Sequence, residues 1–335
     1  MKHVKLLLAL IVVLLAGLAA SEIAMAQGKK KSTSKIPVKT ERPAAKRTPQ
    51  PKQEKKPATK PRQEKKREAD EAPRKVVERK PQRKPQPKPE PKAEPALSNH
   101  TFTVGGVSFT MVAVQGGTFT MGATSEQGGD ASDGEKPAHS VTLSSYYIGQ
   151  TEVTQELWQA VMGSNPSRFE GSNRPVECVS WDDCQEFLSR LNRITGEHFR
   201  LPTEAEWEFA TRGGSRSRGY KYSGSDNIYD VAWFDKNSYD KGSSSPDYGT
   251  HAVATKLPNE LGLYDMSGNV WEWCSDWYGS YSSSAQSNPT GPSSGSFRVI
   301  RGGSWSSYAG YCRVSDRYDC SLDCRSNGLG LRLAL

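Results

Sequence analysis

Between Gln27 and Asn99 the chain offers almost no large apolar side chain, and this confines any folded core to the residues beyond Asn99. Lys, Arg, Pro, Glu and Gln fill the stretch, so burial there cannot offset the entropy of ordering the backbone. We expect it to be a disordered, basic tether. Its thirteen prolines favour extended geometry, at about 3.1 Å per residue. From Gln27 to Ser98 there are 24 Lys and Arg against 9 Asp and Glu, and Met1–Ala26 carries one net positive charge. Of the +8 total, the rest of the chain therefore holds −8, so the high isoelectric point belongs to the tether and the folded part is acidic.

Met1–Ala26 has Lys2 and Lys5, an apolar run from Leu6 to Ala20, and Ala24-Met25-Ala26 before Gln27. This is the pattern of a secretory signal with an A-x-A cleavage site. The alternative is an uncleaved anchor, for which the run falls short of the roughly 20 residues that span a bilayer. The expected location is exported: periplasmic, cell-envelope or secreted. A basic tether can contact anionic polymers of the envelope or act as a solvated spacer, and export argues against a nucleic-acid partner.

From Thr101 to Leu335 no second linker and no fixed-period repeat occurs, so residues 100–335 read as one domain. Gly105–Ala123 alternates apolar and polar residues around Gly-Gly and predicts a hairpin. His139–Gly149 predicts one further strand. Helices are predicted where Val153, Leu157, Trp158 and Val161 share a face, and where Phe187, Leu188, Leu191 and Ile194 do. The second starts at a capping box of Ser180 and Asp183, and a third at Thr203 and Glu206. Its glutamates are thereby assigned to a helix start rather than to acid/base chemistry. Beyond Gly213 short strands, loops and tryptophans follow, of which Trp271, Trp273 and Trp277 are expected in the core. The fold class is α+β with much irregular structure.

All six cysteines (178, 184, 274, 312, 320 and 324) lie in this domain. An exported protein can oxidise them, but six allow fifteen pairings, and none has zinc-ribbon spacing.

The phrases GGTFTMG at Gly116, EVTQELW at Glu152, PVECVSW at Pro175, RLPTEAEWEFATRGG at Arg200, NELGLYDMSGNVWEW at Asn259 and RGGSW at Arg301 occur in this order. Together they resemble the sulfatase-modifying-factor family, the formylglycine-generating enzymes and their relatives. The resemblance covers Thr101–Leu335 and implies that family's irregular α+β fold, related to C-type lectins. Function does not follow from fold.

In the oxidases of the family a copper(I) ion held by two cysteines after GGS oxidises a protein cysteine. The resemblance puts these positions at Ser307 and Cys312. A serine hydroxyl is hard and protonated at neutral pH and cannot replace a thiolate, so copper is not expected. Leu188, Thr211, Arg317 and Leu333 stand at or near positions where family members carry disulfide cysteines. The family's structural calcium is better matched: DMSGNVWE implies Asp265, Gly268, Val270 and Glu272 as oxygen ligands. The alternative is that Asp265 and Glu272 bond local backbone.

From Ser306 to Gly328 there is no Lys, Glu, Gln, Met or Trp. Ser, Tyr, Asp, Cys, Gly and Arg dominate, all reachable from an AAC codon by changing adenines. The stretch resembles the variable region of target proteins diversified by retroelements; ordinary drift in a polar loop is the other reading. Tyr and Ser with scattered charge suit an adaptable contact surface, with Tyr308, Tyr311 and Tyr318 as anchors. The expected function is a non-oxidase binding or scaffold module for a protein or glycan ligand. A formylglycine-generating oxidase working through Cys312 is the alternative.

Overall fold

Gly105 and Gly106 both take positive φ, 59° and 86°, and fold the chain back between β1 (His100–Val104) and β2 (Val107–Val114). Residues with side chains rarely adopt that geometry, so the turn depends on them. This is a computed structural model and describes residues 97–335. The expected signal segment and nearly all of the expected tether lie outside the described residues.

The hairpin expected over Gly105–Ala123 is not formed. β2 pairs with β1 on one side and β5 (Tyr146–Gly149) on the other, while β3 (Gly117–Met121) pairs with β4 (His139–Leu143) in a different sheet. Gly116 is the reason: a Cβ there would collide with the Leu143 carbonyl, so the Gly-Gly pair lets the chain cross between sheets at close range. The strand expected over His139–Gly149 is likewise two, broken at Ser144 and Ser145.

Helix α1 (Gln155–Met162) starts at Thr154, whose hydroxyl accepts the Leu157 N–H, and buries Leu157, Trp158 and Val161, with Val153 buried just before it. Helix α2 (Trp181–Thr195) has the expected Ser180–Asp183 capping box, and α3 (Glu204–Thr211) the Thr203–Glu206 box. The stripe of α2 is shifted by a turn: Cys184, Phe187, Leu188 and Leu191 are buried, but Ile194 is 55% exposed in the last turn. A one-turn helix, α4 (Ile228–Val231), follows.

The third sheet runs β10-β6-β8-β9, formed by Leu329–Gly330, Trp271–Trp277, Arg298–Arg301 and Arg317–Cys320. β7 (Gln286–Ser287) adds in parallel to β4. The chain end stitches these parts together. Gly149 donates to Leu333, Tyr147 and Leu335 exchange backbone bonds, and so do Arg200 and Ala334. Trp271 and Trp273 are buried as expected; Trp277 is only half-buried, with the Arg298 guanidinium 3.6 Å over its ring. No helix among the described residues is long and apolar enough to cross a membrane.

Four buried arginines of the last 35 residues pair with carboxylates from earlier elements. Arg313 donates through both terminal nitrogens to Glu135 (2.7 Å each); Arg317 donates through Nε and Nη2 to Glu204 (2.7 and 2.6 Å), Arg332 donates through Nη2 to Glu272 (2.7 Å), and Arg301 bonds Glu208. Burial alone would raise the Glu135 carboxyl, but hydrogen bonds from Arg313 and Ser315 bring it down to about 2, from an ordinary 4.5.

Removing one member of such a pair strands the other, at about 3–5 kcal/mol. Glu135→Ala should lower unfolding free energy by that amount, against less than about 1 kcal/mol for Arg190→Ala in the exposed Glu186 pair. Because the folded-state pKa of Glu135 is depressed, its contribution is complete above pH 4.5 and is lost as pH falls towards 2. Melting curves between pH 6 and 2 should therefore fall less steeply for Glu135→Gln than for the natural chain.

Candidate functional site

Ser304, Trp305, Ser307 and Cys312 leave β8 in a short loop that ends in a 3-10 turn, Ala309–Cys312. The Ser307 hydroxyl accepts the Ser304 N–H and lies 3.0 Å from the Ser304 hydroxyl, closing the loop on itself. Its carbonyl accepts the Asp235 N–H at 3.0 Å. Cys312 is fully buried, its sulfur 3.9 Å from the Tyr308 carbonyl. Burial, then the charges of Asp316 and Asp235, push its thiol far above the usual cysteine range. A thiol so held stays protonated and is a poor nucleophile or metal ligand.

The donor set here does not fit a two-thiolate copper site. Ser307 supplies a hydroxyl engaged with Ser304, and the remaining cysteines are elsewhere engaged or buried. Cys320 and Cys324 form a disulfide, Cys184 and Cys274 are buried, and the Cys178 thiol is pushed up to about 12 by burial and the neighbouring Glu177.

Trp305 is buried, donates its ring N–H to the Asn327 carbonyl (2.9 Å), and is boxed by Phe169, Tyr239 and Tyr248 at ring distances of 5.1, 5.8 and 4.9 Å. Beside it the three expected anchors differ. Tyr308 is 55% exposed, whereas Tyr311 and Tyr318 are half-buried against the main core. They are neighbours: the Tyr308 and Tyr311 rings lie 6.5 Å apart, and burial, with Asp316, Tyr318 and Tyr308 close by, raises the Tyr311 phenol. Between them, residues 312–317 run through the interior, so the diversified-looking stretch is not one continuous surface.

Sequence reasoning missed two contributors from the loop after α4. Tyr239 is 49% exposed over Trp305, and Asp235 is buried with neither carboxylate oxygen hydrogen-bonded among the described residues, the Lys236 ammonium standing 3.6 Å away. Burial raises the Asp235 carboxyl. Nothing in the run FDKNSYDKGSSSPDY distinguishes these residues from solvent-exposed loop.

Of the four calcium positions, Asp265 and Gly268 take positive φ (58° and 83°) and Val270 is buried. Asp265 accepts the Ala254 N–H through Oδ2 (2.7 Å), while buried Oδ1 has no partner among the described residues. Glu272 bonds Arg332 through both oxygens and accepts the Trp207 ring N–H (2.7 Å). Glu152, which the sequence did not single out, accepts from Asn269 and Val270. Burial and the charges of Asp265 and Glu272 raise it, and burial and Glu272 bring Asp265 up to about 6. Three buried carboxylates thus face one arginine. Among the described residues no three acidic, histidine or cysteine side chains are arranged to hold a metal ion; the orphaned Asp265 oxygen is what fits a cation, and Glu272 fits only by sharing an oxygen already bonded to Arg332 or Trp207.

Residues 105–335 match the family model of the sulfatase-modifying factor enzyme 1-like domain. The chain is 35% identical over 267 residues to chaperone protein LppX of Paenibacillus barcinonensis, covering 67% of this chain and 87% of that protein. It is 32% identical over 287 residues to the formylglycine-generating enzyme of Streptomyces coelicolor, covering 67% and 88%. Among solved structures, Treponema denticola variable protein 1 aligns with a TM-score of 0.64 and 36% identity, over 71% of this chain and 99% of that one.

Frame and face should separate on mutation. Trp305→Ala should destabilise the domain by about 3–5 kcal/mol, the loss typical of a truncated buried aromatic. Tyr308→Ser should stay within about 1 kcal/mol because the ring is exposed. Tyr311→Ser and Tyr318→Ser should fall between them, and chemical denaturation of the four variants measures the order.

Proposed function

The chain belongs to the sulfatase-modifying factor enzyme 1-like family, and from that premise we propose that it is a binding or scaffold module, not a cysteine oxidase. Its C-terminal tyrosines meet a protein or glycan ligand. The observation that carries this reading is the pairing of a buried, protonated Cys312 with a hydroxyl at Ser307, where the oxidases use two thiolates. The names of two similar proteins, a chaperone and a variable protein, support a role other than oxidation. Composition supports the face: Ser306–Tyr311 holds Ser, Tyr, Ala and Gly and no charge, which suits adaptable contact through tyrosine. In the same proposal the domain is exported and held on the basic tether, whose 24 cationic residues meet anionic envelope polymers.

A calcium ion belongs to the proposal as a structural element near Asp265, held by carboxylate and backbone oxygen, a donor chemistry that suits this ion.

Incubating the protein with copper(I), oxygen and a peptide carrying C-x-P-x-R should leave the peptide mass unchanged. Conversion of its cysteine to formylglycine would establish the oxidase reading instead. In capture from the native cell envelope, Tyr308→Ser should lose the partner retained by the natural chain, while Tyr229→Ser, at an exposed tyrosine elsewhere, keeps it.

A chelator should lower the melting temperature, since an ion bound only by the native state stabilises it, and Asp265→Ala should remove that sensitivity. Identical melts with and without chelator would dismiss the ion.

A further inference from the structure

A cavity of about 480 Å³ opens between the start of α3, strand β4 and the loop after β6, and none of Tyr308, Tyr311 or Tyr318 lines it. Most of its wall comes from residues 277–297. That run contains no Lys, Arg, Asp, Glu or His, in a chain where 24% of residues are charged. Ser280, Ser282, Gln286, Ser287 and Thr290 bring hydroxyls and an amide to the wall, and Trp277 and Tyr281 bring apolar edges.

The floor is charged but internally balanced. Arg317 gives Nε and Nη2 to Glu204 and Nη1 to the carbonyls of Gly134 (3.2 Å) and Gly279 (2.7 Å), and Tyr281 donates to Glu204 at 3.0 Å. His139 also lines the cavity, its Nδ1 3.1 Å from the Pro137 carbonyl, and no Lys or Arg other than the paired Arg317 does, so the wall holds no free fixed cation for a phosphate or carboxylate. Asp276 stands apart. It is 4% exposed, and its Oδ2 accepts the Glu204 N–H (2.9 Å) and the Ser275 hydroxyl (3.1 Å). Its Oδ1 has no hydrogen-bond partner among the described residues. An apolar occupant would strand that oxygen out of water, which is unfavourable. The fitting occupant is uncharged and rich in hydrogen-bond donors. A volume in the lower half of the roughly 300–1,000 Å³ range of small-molecule pockets limits its size.

We propose that this cavity binds a neutral saccharide of one or two sugar units, its hydroxyls bonded to Asp276 and to the hydroxyl and amide side chains of the 277–297 loop. Burial and the Glu204 charge bring the Asp276 carboxyl up to about 7. The shift favours its neutral acid form, which can donate as well as accept and suits a hydroxyl better than an ammonium partner. The site is independent of the tyrosine face and does not depend on the reading given to that face.

Saturation-transfer NMR and titration on the full chain, with glucose, galactose, mannose, N-acetylglucosamine, maltose and cellobiose as probes, test the proposal. At least one sugar should bind. Ser282→Trp, which fills the mouth from an exposed position, should weaken it at least tenfold with the melting temperature unchanged. Asp276→Asn should also weaken it, while Tyr229→Ser, at an exposed tyrosine outside the cavity, leaves it as it was. The proposal fails if no sugar binds on the order of 10 mM, if Ser282→Trp has no effect, or if putrescine binds better than every sugar.

Discussion

Buried arginine–carboxylate pairs hold this domain in register. Arg301, Arg313, Arg317 and Arg332 all come from the last 35 residues, and Glu208, Glu135, Glu204 and Glu272 come from three earlier parts of the chain. Each pair removes two charges from water, so its net stabilisation over an apolar pair of equal volume is small. What it supplies is specificity, since any shift of the C-terminal stretch would leave four guanidinium groups and their partners unpaired in the interior. A fold with short strands and few helices lacks long ladders to fix register. Here directional pairs do that work, with Arg301, Arg313, Arg317 and Arg332 also bonding backbone carbonyls or side chains around them.

The clamp explains why the loop after β8 can be both fixed and exposed. Its two ends are anchored at Arg301 and Arg313, and Trp305 is pinned between them by the aromatic rings of Phe169, Tyr239 and Tyr248. The residues between, Ser306 and Tyr308 to Tyr311, vary in exposure from the open Ser306 and Tyr308 to Tyr311, half-buried against the core. Cys312 lies on the anchored side, which is why its thiol is sealed in the interior.

What the sequence displayed was local. Both capping boxes, the helices they start and the family frame were readable because each signal sits within a few residues. Strand pairing was not: alternation marks Val107–Val114 and Gly117–Met121 as strands but cannot say that Gly116 sends them to different sheets. The same limit misplaced Ile194, which fits the apolar period of α2 but lies where the helix has left the core. In the C-terminal stretch, composition suggested one contact surface. Arg313 and Arg317 look like the surface charges around them, yet burial makes them frame, and only their carboxylate partners Glu135 and Glu204, far back along the chain, reveal it. The aromatic cluster that Tyr239 joins is equally long-range, and Asp235 carries no local mark.

One consequence links the clamp to both candidate contact regions. The clamp holds its arginines and glutamates in the interior, and Ser306–Tyr311 and residues 277–297 contain no charged residue, although the folded part carries a net −8. Recognition at either region must then rest on hydrogen bonds, aromatic contact and shape, which salt screens little. Residues 27–98 are the opposite case in composition, with 24 Lys and Arg against 9 Asp and Glu. In the proposed arrangement, then, attachment and recognition are physically separable. The tether answers to ionic strength and surface charge, while the domain answers to the hydroxyls and rings that a ligand presents.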